Sequence, residues 1–327
     1  MNRCPAEIVL KFASFACTDG GETGCSLSLV SHYMRDATAP HRYHSVAIVS
    51  QDNLLSFAAL VRDDRVPIVI HHLFISVQDS WGRVPHEELK MLEVALATVL
   101  ARAAPSVQTL VVHDAWRADS TIASLGTGLP ALRDLALPCE SSLQTFDPAT
   151  FPALRRFHSC ALLNRRFQLW EAIASSFPLL THLRITRVSQ DTDLPPLLRV
   201  ILKIPVTSDP TWGDLYCPGE REFLAGSEEG ARAQCIANAL SQLKDVIVQP
   251  GLYKSDGYCG TGELKDGMMQ MGLGSIARAC ERGVGEGRLS LLPGSKGYTL
   301  EVARTDWLNL VAGGDGPWNV VETVSKA

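Results

Sequence analysis

The chain has 327 residues, 46% hydrophobic and 20% charged, with a net charge of −5 at pH 7 and a pI near 6.0. That composition excludes a disordered chain, and no basic excess points to nucleic acid or an anionic membrane. Its nine cysteines show no C-x-x-C pair and no paired Cys/His spacing, so they read as buried reduced thiols, not a disulfide frame or a zinc site. No window is apolar over a bilayer's length. Glu7 and Lys11 interrupt what would be a signal-peptide core. With no N-x-S/T sequon, the expected location is cytoplasmic or nuclear.

Pro5 opens a predicted helix with Glu7 in its first turn, as the helix dipole favours. Ile8, Phe12, Phe15 and Ala16 form one apolar face, and Val9 and Ala13 widen it. Asp19-Gly20-Gly21 ends the helix. A second helix is predicted from about Cys25 to Ala37, with Leu27, Val30, Met34 and Ala37 on one face and Pro40 as its stop. Two short helices that are apolar on more than one side need a further partner to cover that surface.

The run Pro5-Ala-Glu7-Ile8-Val9, then Leu27-Ser-Leu29-Val30-Ser31-His-Tyr-Met34-Arg35, resembles an F-box. The continuation Asp36-Ala-Thr-Ala-Pro40-His-Arg42-Tyr43-His-Ser45-Val46 is similar to fungal F-box proteins with a leucine-rich tail. The family usually begins Leu-Pro, where this chain has Cys4-Pro5, and Met34 stands where an aromatic residue is common. The resemblance implies that residues 1–48 dock on the adaptor subunit of an SCF-type cullin–RING ubiquitin ligase. Carried over to this sequence, the adaptor-facing residues are Pro5, Ile8, Val9, Leu27, Val30, Ser31 and Met34.

Residues 49–66 read as a helix-and-loop connector with Leu54, Leu55, Ala58 and Leu60 buried. A repeat follows over 67–205: proline, any residue, then Leu-x-x-Leu-x-Leu. It runs Pro105-x-Val107-x-x-Leu110-x-Val112, Pro130-x-Leu132-x-x-Leu135-x-Leu137, Pro152-x-Leu154-x-x-Phe157-x-Ser159 and Pro178-x-Leu180-x-x-Leu183-x-Ile185. Looser copies lie at Ile70–Ile75 and Leu243–Val248. The last two apolar positions are two apart, which is strand spacing. From Leu110 through Leu135 and Phe157 to Leu183 the steps are 25, 22 and 26 residues, a period typical of leucine-rich solenoids. Helices are predicted between strands, from Pro85 to Arg102 with Leu89, Leu92, Leu96 and Val99 inward, and from Phe167 to Phe177 with Leu169, Trp170 and Ile173. An ordinary α/β domain with parallel strands alternates strand and helix in the same way. The expected fold is therefore α/β: a short helical segment, then an irregular leucine-rich-repeat solenoid.

If the leucine positions face the core, the residues between them line the other side of each strand. They are His72 and Phe74; Thr109, Val111 and His113; Asp134 and Ala136; Arg156 and His158; and His182, Arg184 and Thr186. This strip, basic in its middle, is the expected target site for an acidic or phosphorylated segment.

Beyond Trp212 lie 19 of the 25 glycines. In this region, 206–327, helices are expected near Gly226–Leu243 and Glu263–Arg282, then a strand at Tyr298–Ala303 and a short helix around Trp307. Gly272-x-Gly274 and Gly283-x-Gly285 lack the G-x-G-x-x-G pattern, and Pro293–Gly297 lacks Walker spacing, so these glycines read as turns. His71 and His72, adjacent within a strand, should point to opposite faces and not share a metal. His158 and Cys160 share a face without any catalytic motif. The expectation is a non-catalytic receptor subunit, without cofactor, that binds the adaptor and a target protein. The alternatives are a leucine-rich interaction scaffold without a ligase role and, third, an enzyme built on the glycine-rich region.

Overall fold

A repeated turn generates the strands. The Leu132 amide donates to the Leu129 carbonyl (3.2 Å) and the Leu180 amide to that of Phe177 (3.1 Å). Pro130 and Pro178 thus take the second position of a β-turn, which suits proline's fixed φ. The residue before each of the four repeat prolines (Ala104, Leu129, Phe151 and Phe177) is buried, and the prolines themselves are exposed. Each of the four proline segments leads into a short strand whose three repeat positions are all buried, including Val107, Leu110 and Val112 and, three copies later, Leu180, Leu183 and Ile185.

The computed structural model describes residues 4–63, 68–77, 86–114, 118–123, 125–126, 128–138, 146–160, 166–189, 191–205, 227–252, 261–295 and 297–319. The chain is α/β, with parallel strands alternating with helices, and it divides into two units. The first comprises Met1–Leu137, Ala149–Ala153 and Thr299–Ala327; the second comprises Pro138–Pro148 and Leu154–Tyr298. This division follows contacts, so the segments 1–48 and 49–66 share a unit with the first strands, and the region 206–327 is shared between both.

In the first unit, α1 (Ala6–Ala16), α2 (Glu22–Val30) and α3 (His32–Thr38) precede β1 (Ser45–Ile48). Then come α4 (Gln51–Val61), β2 (His72–Ser76), α5 (His86–Ala103), β3 (Thr109–Asp114), α6 (Ala118–Ala123) and β4 (Asp134–Leu137). Strands pair in chain order, all parallel, with Val46, Leu73, Leu110 and Leu135 in register across the sheet. Those four form one buried apolar rung. Leu92, Leu96 and Val99 of α5 are buried as expected, and Leu89 is half-buried. In the connector helix Leu54 and Ala58 are buried as expected, but Val61 takes the inner place assigned to Leu60, and Leu55 is exposed.

The second unit repeats the plan with β5 (Arg156–Ser159), α7 (Arg166–Ser176), β6 (His182–Val188) and α8 (Leu194–Ile201), followed by α9 (Glu228–Ala239), β7 (Asp245–Pro250), α10 (Thr261–Glu281) and β8 (Arg288–Leu291). Its buried rung is Phe157, Leu183, Val246 and Leu289. Helix α9 packs on α7 and α8, and α10 packs on α8 and β8.

Three expectations change. Residues 45–48 are the first strand and not the end of the helical segment. The second helix is broken into two: Ser31 is extended (φ −166°, ψ 165°), and its hydroxyl accepts from the Met34 amide, which starts α3. The strand expected at Tyr298–Ala303 is instead the start of α11 (Leu300–Val311), and the strand of that region is β8.

The helices before β1 are tied to it by polar contacts. The buried Ser45 hydroxyl donates to the Cys17 carbonyl (2.9 Å) and accepts from the Gly20 amide (3.0 Å); the Ala47 amide donates to the Gly20 carbonyl (3.1 Å). At Gly24 a Cβ would lie 2.4 Å from the Arg42 carbonyl oxygen, so only glycine lets α2 approach this closely. On the sheet, α11 packs against β2 and β3, and the fully buried Trp307 meets Phe74 at 5.5 Å between ring centroids. Trp307→Ala is expected to lower the stability of this unit by about 3–5 kcal/mol. Urea denaturation followed by circular dichroism measures it, and a loss under about 1 kcal/mol would mean that α11 does not share this core.

Candidate functional site

Two surfaces contain the residues singled out by the sequence. The first lies on α1 and α2. Helix α1 turns Val9 and Ala13 inward and leaves Ile8, Phe12 and Phe15 exposed. Those three are four and three residues apart, which is one helical stripe. At the end of α2, Leu29 (80% exposed) and Val30 (54%) continue the exposed apolar surface. Leu27 and Met34 are half-buried, and Pro5 is exposed. Of the seven expected adaptor contacts, Val9 is buried and therefore not available to a partner, because it belongs to the inner face of α1. Ser31 is exposed, but its hydroxyl is used as the cap of α3. Phe12, Phe15 and Leu29 were not among those seven, although the apolar stripe on α1 was legible from helical spacing alone.

The second surface is the strip between the leucine positions, and it is largely covered. In the first unit Phe74, Thr109, Val111 and Asp134 are buried; α11 lies on β2 and β3, the strands of the first three. His72 and His113 are half-buried. In the second unit His158 and Arg184 are buried, with Tyr298 placed over them. The rings of His158 and Tyr298 meet edge-on at 4.5 Å, and the Arg184 guanidinium stands 5.6 Å from the Tyr298 centroid, a cation–π distance. His158 also approaches the Thr186 hydroxyl at 3.4 Å. The open strip expected from strand alternation is therefore corrected: alternation assigns faces but cannot say what packs on the second one.

One row of the second unit stays accessible. The register places Arg156, His182, Asp245 and Arg288 side by side on β5 to β8. Asp245 accepts from Arg288 Nε at 2.8 Å and lies 3.3 Å from His182 Nε2. Arg288 is well exposed, whereas Arg156 and His182 are half-buried. Arg288 was missed because its strand has no repeat proline. The signal that could have found it is Leu289-x-Leu291, with strand spacing.

The remaining candidates are structural. Gly272 and Gly274 lie within α10, and Gly283 and Gly285 form the turn after it. Among the described residues no three His, Cys, Asp or Glu side chains group to hold a metal ion, and no helix is long and apolar enough to cross a membrane. Cys17 and Cys160 are buried, but Cys4, Cys25 and Cys235 are exposed, contrary to the expectation of uniformly buried thiols. Burial pushes the Cys17 thiol up to about 11, so it is inert at neutral pH. Cys139, Cys217 and Cys259 lie outside the described residues. Compared with known proteins, the chain matches no family model and no curated protein.

Arg184→Glu is expected to cost about 3 kcal/mol of stability, since it reverses a buried charge under Tyr298. The exposed Arg288→Glu should cost less than about 1 kcal/mol. Urea midpoints of the two variants, if equal, would show that Arg184 is not buried in solution.

Proposed function

We propose that the chain is an F-box-type substrate receptor: α1 to α3 dock on the adaptor subunit of an SCF-type ubiquitin ligase, and the strand-and-helix units behind them act as irregular leucine-rich repeats that hold a target protein. The observation that carries this reading is the exposed stripe of Ile8, Phe12 and Phe15 on α1 with Leu29 and Val30 beside it in sequence order at the end of α2. Removing an apolar side chain of this size from water is worth about 1.5–3 kcal/mol. Several of them together on two short helices supply what a protein partner needs at the centre of an interface. The sequence resemblance to the F-box falls on the same helices and indicates the adaptor as that partner.

In this reading the chain performs no chemistry of its own. It raises the effective concentration of the target near the ligase's charged ubiquitin carrier. Target contact falls on the accessible row of Arg156, His182 and Arg288, whose two arginines suit a carboxylate or phosphate partner.

Co-purification of the full chain with the adaptor tests the first half. Wild type should bind, and an Ile8→Asp, Val30→Asp double variant should lose binding at least a hundredfold with an unchanged circular dichroism spectrum. Equal binding by both would remove this surface from the assignment, and binding by neither would remove the F-box reading. For the second half, Arg156→Glu with Arg288→Glu should retain the adaptor and lose the target. Retention of ubiquitylated partners by that variant would overturn the assignment of the row.

A further inference from the structure

Four histidines meet in the first unit, on a part of the sheet that the proposed function does not use. His41 ends the short 3₁₀ turn Ala39–His41, His44 directly precedes β1, His71 directly precedes β2, and His72 is the first residue of β2. Around His44 the ring centroids stand 4.7 Å from His71, 5.2 Å from His72 and 5.8 Å from His41; His71 and His72 are 6.5 Å apart. Strand alternation was expected to separate His71 from His72, but His71 lies just outside β2, so both rings reach the same neighbour. The backbone joins at the same point: the His71 and His72 amides donate to the His44 carbonyl at 3.0 and 3.1 Å. Close packing of the His44, His71 and His72 rings favours their uncharged forms, because like charges at these distances repel.

We propose that this cluster is an acid-sensitive clasp: at neutral pH the packed rings hold β1, and with it α1 to α3, on β2, and proton uptake by the rings loosens that edge. In the register, the residue beside His72 on β1 is the uncharged Ser45. From β3 and the residue before it, the Gln108 side-chain amide meets His71 Nδ1 at 3.4 Å and Thr109 pairs with His72 in the register. Asp134, the acid in that row, is one strand further on. The Arg42 guanidinium, next in sequence to His41, stands 5.2 Å from the Tyr43 ring centroid. Burial first, then the neighbouring histidines, push His44 and His72 down to about 4, and burial with His41 also lowers His71.

The sign follows from linkage. A histidine lowered in the closed state binds its proton more tightly when released, so the open state gains protons as pH falls below the ordinary histidine value near 6.5. Opening is favoured progressively from there down to about pH 4. Each released histidine raises the opening equilibrium by up to about tenfold per pH unit in that window.

Hydrogen exchange of the full chain between pH 7.5 and 4.5, corrected for the intrinsic rate, reads this directly at the amides of 45–48 and 72–76. Wild type should show at least about a tenfold rise in opening per pH unit below 6. His44→Gln should flatten that slope by about one power of ten per unit, with α10 amides unchanged in both proteins. A wild-type slope of zero, or a slope the variant leaves unchanged, would overturn the clasp. If His44→Gln is already open at pH 7.5, the wild-type His44 and His72 imidazole resonances decide by NMR titration. Midpoints of about 4 uphold the proposal, and midpoints near 6.5 reject it.

Discussion

The structure depends on the apolar rung that crosses the strands of each unit, one residue from each strand. In the first unit it is Val46, Leu73, Leu110 and Leu135, and in the second Phe157, Leu183, Val246 and Leu289. A four-residue strand such as β1, β4, β5 or β8 is too short to bury an apolar edge alone. The rung is closed only when the neighbouring strand supplies the next side chain at the same height, so register and burial are one constraint. In the four repeat copies a proline directly after a buried residue stands five residues before the rung position, so the segment before the strand helps to set that height.

The same constraint explains how the N-terminal helices are held. They contribute little to a core of their own, with Val9 and Ala13 as the inner residues of α1. What fixes them is the backbone and hydroxyl contact of Ser45 and Ala47 in β1 with Cys17 and Gly20, together with the close approach of Gly24 to Arg42. Polar stitching of that kind leaves the apolar outer stripe of α1 free. A helix held by its core would have had to turn Ile8, Phe12 and Phe15 inward. The histidine cluster sits at the same junction, where β1 meets β2.

The second face of the strands in each unit shows the opposite outcome. An apolar face is covered by an apolar element, as Phe74 is by Trp307. The polar face of the second unit is closed differently: an aromatic ring takes a buried histidine edge-on and a buried arginine against its π cloud. Polar residues in a repeat therefore do not by themselves mark an open surface. The outer row, where Asp245 pairs with Arg288 and lies beside His182, keeps its charges near water.

Much was legible from the sequence because it is local. Period-two apolar positions behind a turn proline determine a short strand at Leu110, Leu135, Phe157 and Leu183, and three-and-four spacing determines α5, since both depend on residues a few positions apart. The broken helix at Ser31 was local too, as a capping serine, but its apolar flanks masked it. The tertiary structure alone decided that 45–48 joins the sheet, that α11 covers β2 and β3, that Tyr298 closes over Arg184, and that four histidines from two separate stretches meet. Each of these is a contact between residues far apart in the chain, and which of several apolar or polar faces meet is settled only when all of them compete for the same buried space.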